Sequence, residues 1–182
     1  MHLRNSSEAY GWAAIALHWI SAAGVTTLYF LGDAMEEAPD RIAKAAARDT
    51  HVAVGMLFFT FLLARLLWSL SQTHPRPLER RRWLQIVAFV VQGLFLLMIA
   101  VLIVTGPLAE WSAPRPLNLF GWFSIPSPFP ARMEWLHELA GEAHELAGKL
   151  FWPLVILHVA GALKHLVIDR DRTVQRMLWV RK

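Results

Sequence analysis

The chain has 182 residues, 55% of them apolar, with a mean hydropathy of +0.37, nine tryptophans and no cysteine. So much apolar residue in a chain of one-domain length points to a bilayer, and the missing cysteine excludes disulfides, cysteine-ligated clusters and covalent haem attachment through C-x-x-C-H. The formal charge of +4 gathers in loops beside apolar runs, which is how a membrane protein sets its orientation, so no nucleic-acid partner is expected.

Met1 to Glu8 is polar and carries no cleavage pattern, so the first apolar run is expected to stay as a spanning helix. That run, about 9–32, has 24 residues without a formal charge, where a bilayer core takes about 20. An acidic turn follows (Asp33, Glu36, Glu37, Asp40). The second helix is expected over 47–71, with Arg65 near its end. A polar link with Pro75, Pro77 and Arg80–Arg81–Arg82 leads to the third, 83–109, whose 27 uncharged residues can span with tilt. Prolines 114, 116, 126, 128 and 130 with Trp111, Trp122 and Phe123 then predict an ordered external loop whose aromatics sit at headgroup level. The fourth helix, 133–168, has an uncharged centre of only 14 residues, Leu150 to Leu163. Lys149 and Lys164 can snorkel at its two ends.

Loop charges fix the orientation. Arg4, Arg76, Arg80, Arg81, Arg82, Lys164, Arg170, Arg172, Arg176, Arg181 and Lys182 make eleven cations on one side. Arg41, Lys44, Arg48, Arg115, Arg132 and Lys149 make six on the other. The richer side is cytoplasmic. The expectation is an all-α transmembrane four-helix bundle, one domain over 1–182, with both termini in the cytoplasm.

Of the histidines on these spans, four stand at bilayer depth, where each imidazole needs a partner. His144 and His158 are fourteen residues apart, about 21 Å of rise on nearly one helix face. By depth, His18 of helix 1 falls level with His158 in the inner half, and His51 of helix 2 level with His144 near the outer surface. Two imidazoles from different helices at each height suit the two axial positions of a haem iron, whereas zinc would want four close donors. The reading is two b-type haems, with His18, His158, His51 and His144 as metal ligands and Gly24, Gly55, Gly93, Gly106, Gly148 and Gly161 giving room for the macrocycles. Arg65, fourteen residues after His51, reaches the inner height as a partner for haem propionates or a quinone headgroup, along with Lys164. Arg48 and Lys149 are its outer equivalents. His165 stands at the inner interface, placed to bond a quinone carbonyl and pass a proton. His137 suits a loop contact better than ligation.

The ordered set Ala16–Leu17–His18–Trp19, Thr50–His51–Val52–Ala53–Val54–Gly55, Leu63–Ala64–Arg65–Leu66–Leu67, His144–Glu145 and Leu157–His158–Val159–Ala160–Gly161–Ala162–Leu163–Lys164–His165, with the tail Arg170–Asp171–Arg172, resembles the bacterial di-haem cytochrome b-561 family over nearly the whole chain. The resemblance implies a multi-pass protein of the bacterial cytoplasmic (inner) membrane, two haem b with the same ligand pairing, a ubiquinone site near the inner haem, and superoxide:ubiquinone oxidoreductase activity with superoxide as the small periplasmic donor. Arg48, Lys149 and Arg41 would attract such an anion. Gln92 stands where helix 3 of the family often carries a histidine that is not an axial ligand. The alternatives are a haem-b anchor and electron-relay subunit of a partner dehydrogenase or hydrogenase, and a haem-free transporter or assembly factor using histidines as helix glue.

Overall fold

A computed structural model describes residues 2–178; Arg181 and Lys182, counted above for orientation, lie outside the described residues. The chain runs α1 (Trp12–Glu36), α2 (Arg41–Ser71), α3 (Arg82–Ser112), β1 (Leu117–Leu119), β2 (Phe123–Ile125), α4 (Glu134–Leu163), a π-helical turn (Lys164–Asp169) and α5 (Gln175–Leu178). Four helical stretches are long and apolar enough to cross a membrane: α1, α2, α3, and α4 with its π turn.

The helices exceed their apolar runs. Helix α1 begins three residues later than hydropathy suggests and continues through Asp33 and Glu36. Helix α2 starts at Arg41 rather than near residue 47. Asp40 is its N-cap, accepting from the Ile42 and Ala43 amides at 2.9 and 2.8 Å, which supplies partners for orphan donors of the first turn. The alanine-rich stretch that follows is a strong helix former although it is charged. Helix α3 passes through Pro107 to Ser112, and α4 through Pro153.

The proline-rich outer segment is ordered, as expected, but it is not all loop. Leu117–Leu119 and Phe123–Ile125 pair antiparallel, with Leu117 opposite Ile125. Ser127 Oγ donates to the Trp111 carbonyl at 2.7 Å and the Met133 amide to Ser112 at 2.8 Å, tying the segment back to the end of α3.

Helices α1 and α2 pack as one hairpin and α3 and α4 as another, while α2 packs more lightly on α3 and on β1. Across the seam between the hairpins the contacts are made by rings, including Tyr29 of α1 stacked on Trp152 of α4 at 5.0 Å. A small apolar core of Val25, Leu62 and Ile99, with Phe58, Ile103 and Phe151 against it, draws on all four helices. At the other end of the bundle from β1, the Arg76 amide donates to Ser7 at 2.9 Å, the Arg176 guanidinium to the Arg76 carbonyl at 2.9 Å, and Trp19 Nε1 to Met177 at 2.8 Å. The N-terminal segment, the α2–α3 link and the tail are thus knitted together.

Candidate functional site: two histidine pairs

The seam is bridged at two levels. His18 of α1 faces His158 of α4 with ring centres 6.1 Å apart, and His51 of α2 faces His144 of α4 at the same 6.1 Å. The rings are inclined at 57° and 79°, so neither pair is stacked. Two metal–imidazole bonds of about 2 Å on opposite sides of one iron place ring centres roughly 6 Å apart. The donor set and the spacing therefore fit an axially ligated haem at each level. Phe151, seven residues from either α4 histidine, belongs to the apolar core that lies between the levels.

Local contacts set the rings. Thr105 Oγ1 donates its single hydrogen to the Val101 carbonyl at 2.7 Å and stands 3.1 Å from His144 Nδ1. It can only accept there, so the proton of His144 sits on Nδ1 and the Nε2 lone pair is left bare for a metal. Beside the same ring, a Cβ at Gly106 would come within 3.1 Å of His144 Cε1, so α3 approaches α4 here only because residue 106 has no side chain. His51 Nδ1 is buried with no hydrogen-bond partner among the described residues. At the other level Trp19 meets His18 edge-on at 5.2 Å and Phe95 meets His158 at 5.5 Å. His18, His51 and His144 are half-buried, and His158 is exposed along the seam.

Arg65 lies at the His18–His158 level, where its charge reaches both rings and Tyr10. The Tyr10 hydroxyl is pushed up by burial, with Arg65 and Arg176 pulling it back. Lys164 and His165 do not join Arg65 by a hydrogen bond or ion pair among the described residues. Lys164 Nζ binds Glu79 at 2.6 Å and Asp169 at 2.5 Å, while His165 Nδ1 lies 2.8 Å from Asp171 and 3.1 Å from Asp169. Glu79, His165 and Asp169 converge closely enough to suggest a cation site, but an ammonium already sits between the two carboxylates. Near the His51–His144 level Arg48 pairs with Asp49 at 2.7 Å and Lys149 with Glu145. Arg41, Lys44, Arg48 and Arg115 line a cavity of about 280 Å³.

His137 Nδ1 lies 2.9 Å from the Ala109 carbonyl and 3.4 Å from Ser112 Oγ, tying the start of α4 to the end of α3. The Gln92 side chain points outward from α3. Of the glycines, Gly24 is pressed by the Phe58 ring and Gly106 by His144, whereas Gly93, Gly148 and Gly161 face open space. Thr105 escapes a reading built on histidines; a lone hydroxyl in the long apolar run of α3 is the signal that could have found it.

A family model for prokaryotic cytochrome b561 matches residues 9–179. The chain belongs to the prokaryotic cytochrome b561 family. Membership makes it a membrane haem protein of electron transport. It is 31% identical over 188 residues to cytochrome b561 homolog 2 of Escherichia coli (strain K12), covering 98% of this chain and 95% of that one. It is also 23% identical over 196 residues to the probable Ni/Fe-hydrogenase B-type cytochrome subunit of Bradyrhizobium diazoefficiens, covering 88% of this chain and 79% of the relative.

Proposed function

We propose that this cytochrome b561-family protein is a transmembrane electron conduit of the bacterial inner membrane, with both termini cytoplasmic. It holds one haem b between His18 and His158 and a second between His51 and His144. It takes electrons from superoxide at the periplasmic face and gives them to ubiquinone at the cytoplasmic face. The observation that carries the reading is the recurrence of one imidazole–imidazole spacing, 6.1 Å, at two levels of one seam.

Haem b, when bound, supplies a one-electron couple at each level. The chain does the rest. Thr105 keeps the His144 proton away from the ligating nitrogen. Trp19 and Phe95 hold the inner rings at fixed inclination. Arg65 sets a positive charge beside the inner pair, suited to a propionate or a quinone oxygen. The cluster of Lys164, His165, Asp169 and Glu79 stands at the cytoplasmic end with groups able to hold protons. Two superoxide ions leave as dioxygen and supply two electrons; one ubiquinone takes those electrons and two protons from the cytoplasmic side. Arg41, Lys44, Arg48 and Arg115 favour an anionic donor at the opposite end.

The hydrogenase cytochrome relative favours a second reading, an electron-relay subunit docked to a partner redox enzyme. Co-purification of a stoichiometric periplasmic subunit would select it.

Reduced-minus-oxidised spectra with pyridine-haem quantitation test the conduit. About two haem b per chain, falling by about one in His51→Ala and again in His158→Ala, are expected from two bis-histidine sites; loading indifferent to both substitutions overturns it. Stopped-flow mixing with superoxide tests the donor, and absence of haem reduction removes it.

A further inference from the structure

The β1–β2 hairpin has no part in the histidine seam, and its composition is unlike that of the loops around it. Residues 116–131 carry no charge, yet ion pairs bracket them, Glu110 with Arg115 at 2.8 Å and Arg132 with Glu134 at 2.5 Å. Strand alternation puts Leu117, Leu119, Phe123 and Ile125 on one face and Asn118 and Ser124 on the other. The hairpin is thus amphipathic.

Exposure rises along the apolar face towards the tip. Leu117 at the base is 6% exposed, covered by the bundle, and Phe123 is 57% exposed; beyond the paired strands Phe120 and Trp122 stand bare at the turn, 52% and 86% exposed. An apolar face that begins under protein and ends bare overhangs the edge of the bundle. The tip is also strained. Phe120 and Gly121 have φ of 49° and 77°, and the Trp122 amide donates to the Leu119 carbonyl at 2.9 Å, which makes a two-residue turn with left-handed backbone at both centres. Asn, Asp or Gly normally stands at the first centre, because a Cβ is disfavoured there. A half-exposed phenylalanine at that position costs stability without burying its ring in the protein.

Exposed apolar side chains also line a helix long and apolar enough to span a membrane. The hairpin follows the outer end of α3 and packs on α2, and Trp135 opens an exposed stripe on α4, Trp135, Leu139, Leu146 and Leu150, that descends into the span. We propose that the hairpin is a membrane-inserting finger, whose tip residues Phe120, Trp122 and Phe123 enter the headgroup–acyl boundary of the outer leaflet while Asn118 and Ser124 keep the other face in water. Insertion stops at the boundary, because the outer edges of a two-stranded sheet carry backbone groups that hydrocarbon cannot satisfy. The finger would hold β1 against α2 beside His51, since Pro116 and Asn118 line the same cavity as Arg48 and Val52.

The absence of native cysteine makes the test direct. Nitroxide labels are placed on Trp122→Cys, Phe123→Cys and Ser124→Cys in the haem-loaded protein, reconstituted in phosphatidylcholine vesicles. Collisional accessibility to oxygen and to a water-soluble nickel chelate is then measured by EPR. Labels at 122 and 123 are expected to favour oxygen severalfold over the nickel chelate, and the label at 124 to show the reverse. Equal nickel accessibility at all three positions overturns the finger and leaves that face to a protein partner. A wild-type haem spectrum certifies each variant's fold. Independently, wild-type protein should lose more tryptophan emission to boundary-brominated lipid than Trp122→Phe does; equal quenching overturns the proposal.

Discussion

Thr105 Oγ1 stands 3.1 Å from His144 Nδ1 with its only hydrogen already committed to Val101. A hydroxyl so placed selects one tautomer of the imidazole, and Thr105→Val removes the selection without changing the side chain's size. Groups that orient a metal ligand are worth about 10–100-fold in affinity when lost. Thr105→Val is expected to release the haem proposed between His51 and His144 to an acceptor globin roughly tenfold faster, and Thr105→Ser to behave as wild type. Equal release from all three would show that the hydroxyl has no hold on the ring.

Gly24 and Phe58 form a second coupled pair. A Cβ at residue 24 would meet the Phe58 ring, which packs against the Val25–Leu62–Ile99 core. Gly24→Val should destabilise the bundle by about 1–3 kcal/mol, as overpacking does, and lower its Tm in detergent. Combining it with Phe58→Leu should cost less than the two single changes together, because the sites are in contact. Strict additivity would contradict the packing described here.

Glu79 fastens the α2–α3 link to the end of α4. Its hydrogen bond from Lys164 comes first, and with the Arg81 amide it holds the carboxyl down at about 2 from an ordinary 4.5. A carboxyl depressed in this way stabilises the folded state above the unfolded value and loses that contribution as pH falls from about 4.5 towards about 2. Wild-type Tm should therefore drop more between pH 5 and pH 3 than that of Glu79→Gln, whose side chain cannot titrate. Parallel curves would place the acid sensitivity elsewhere.

The cavity lined by Arg41, Lys44, Arg48 and Arg115 would act on the proposed anionic donor through its field. Arg48 and Arg115 have carboxylate partners in Asp49 and Glu110, whereas Arg41 and Lys44 form no ion pair among the described residues. The pair Arg41→Gln/Lys44→Gln is expected to slow haem reduction by superoxide by about threefold at low salt and far less near 0.15 M, where the screening length is about 8 Å. A rate unchanged at both salts would remove these residues from the approach path.

Much of the bundle was legible because a bilayer imposes simple rules. Uncharged runs mark spans, and depth alone pairs His18 with His158 and His51 with His144, the rings that the fold brings to 6.1 Å of one another. Hydropathy failed at the helix ends, since Arg41–Arg48 is helical through alanine content and the Asp40 cap, which no apolar scale detects. The β-hairpin was hidden by its unusual turn: Phe120–Gly121 lacks the Asn-Gly or Asp-Gly signature, and the surrounding prolines read as loop. Height on the helix gives Lys164 as a partner of the same group as Arg65 and His165 as a residue of the inner interface, but says nothing of the change to a π turn at Lys164 or of the contacts their side chains make with Glu79, Asp169 and Asp171. Period-3.6 reasoning has no means of anticipating that change.

An apolar cluster of Val25, Leu62 and Ile99, with Phe151 against it, lies between the two histidine levels. An electron passed between the two proposed haems would cross it without a counter-charge, and that step would be electrogenic. In a cell whose interior is negative, inward transfer works against a field of about 2.3 kcal/mol per elementary charge per 100 mV for a full crossing. The respiratory state of the membrane would then throttle the protein directly: an energised cell slows the flow, and a depolarised one releases it.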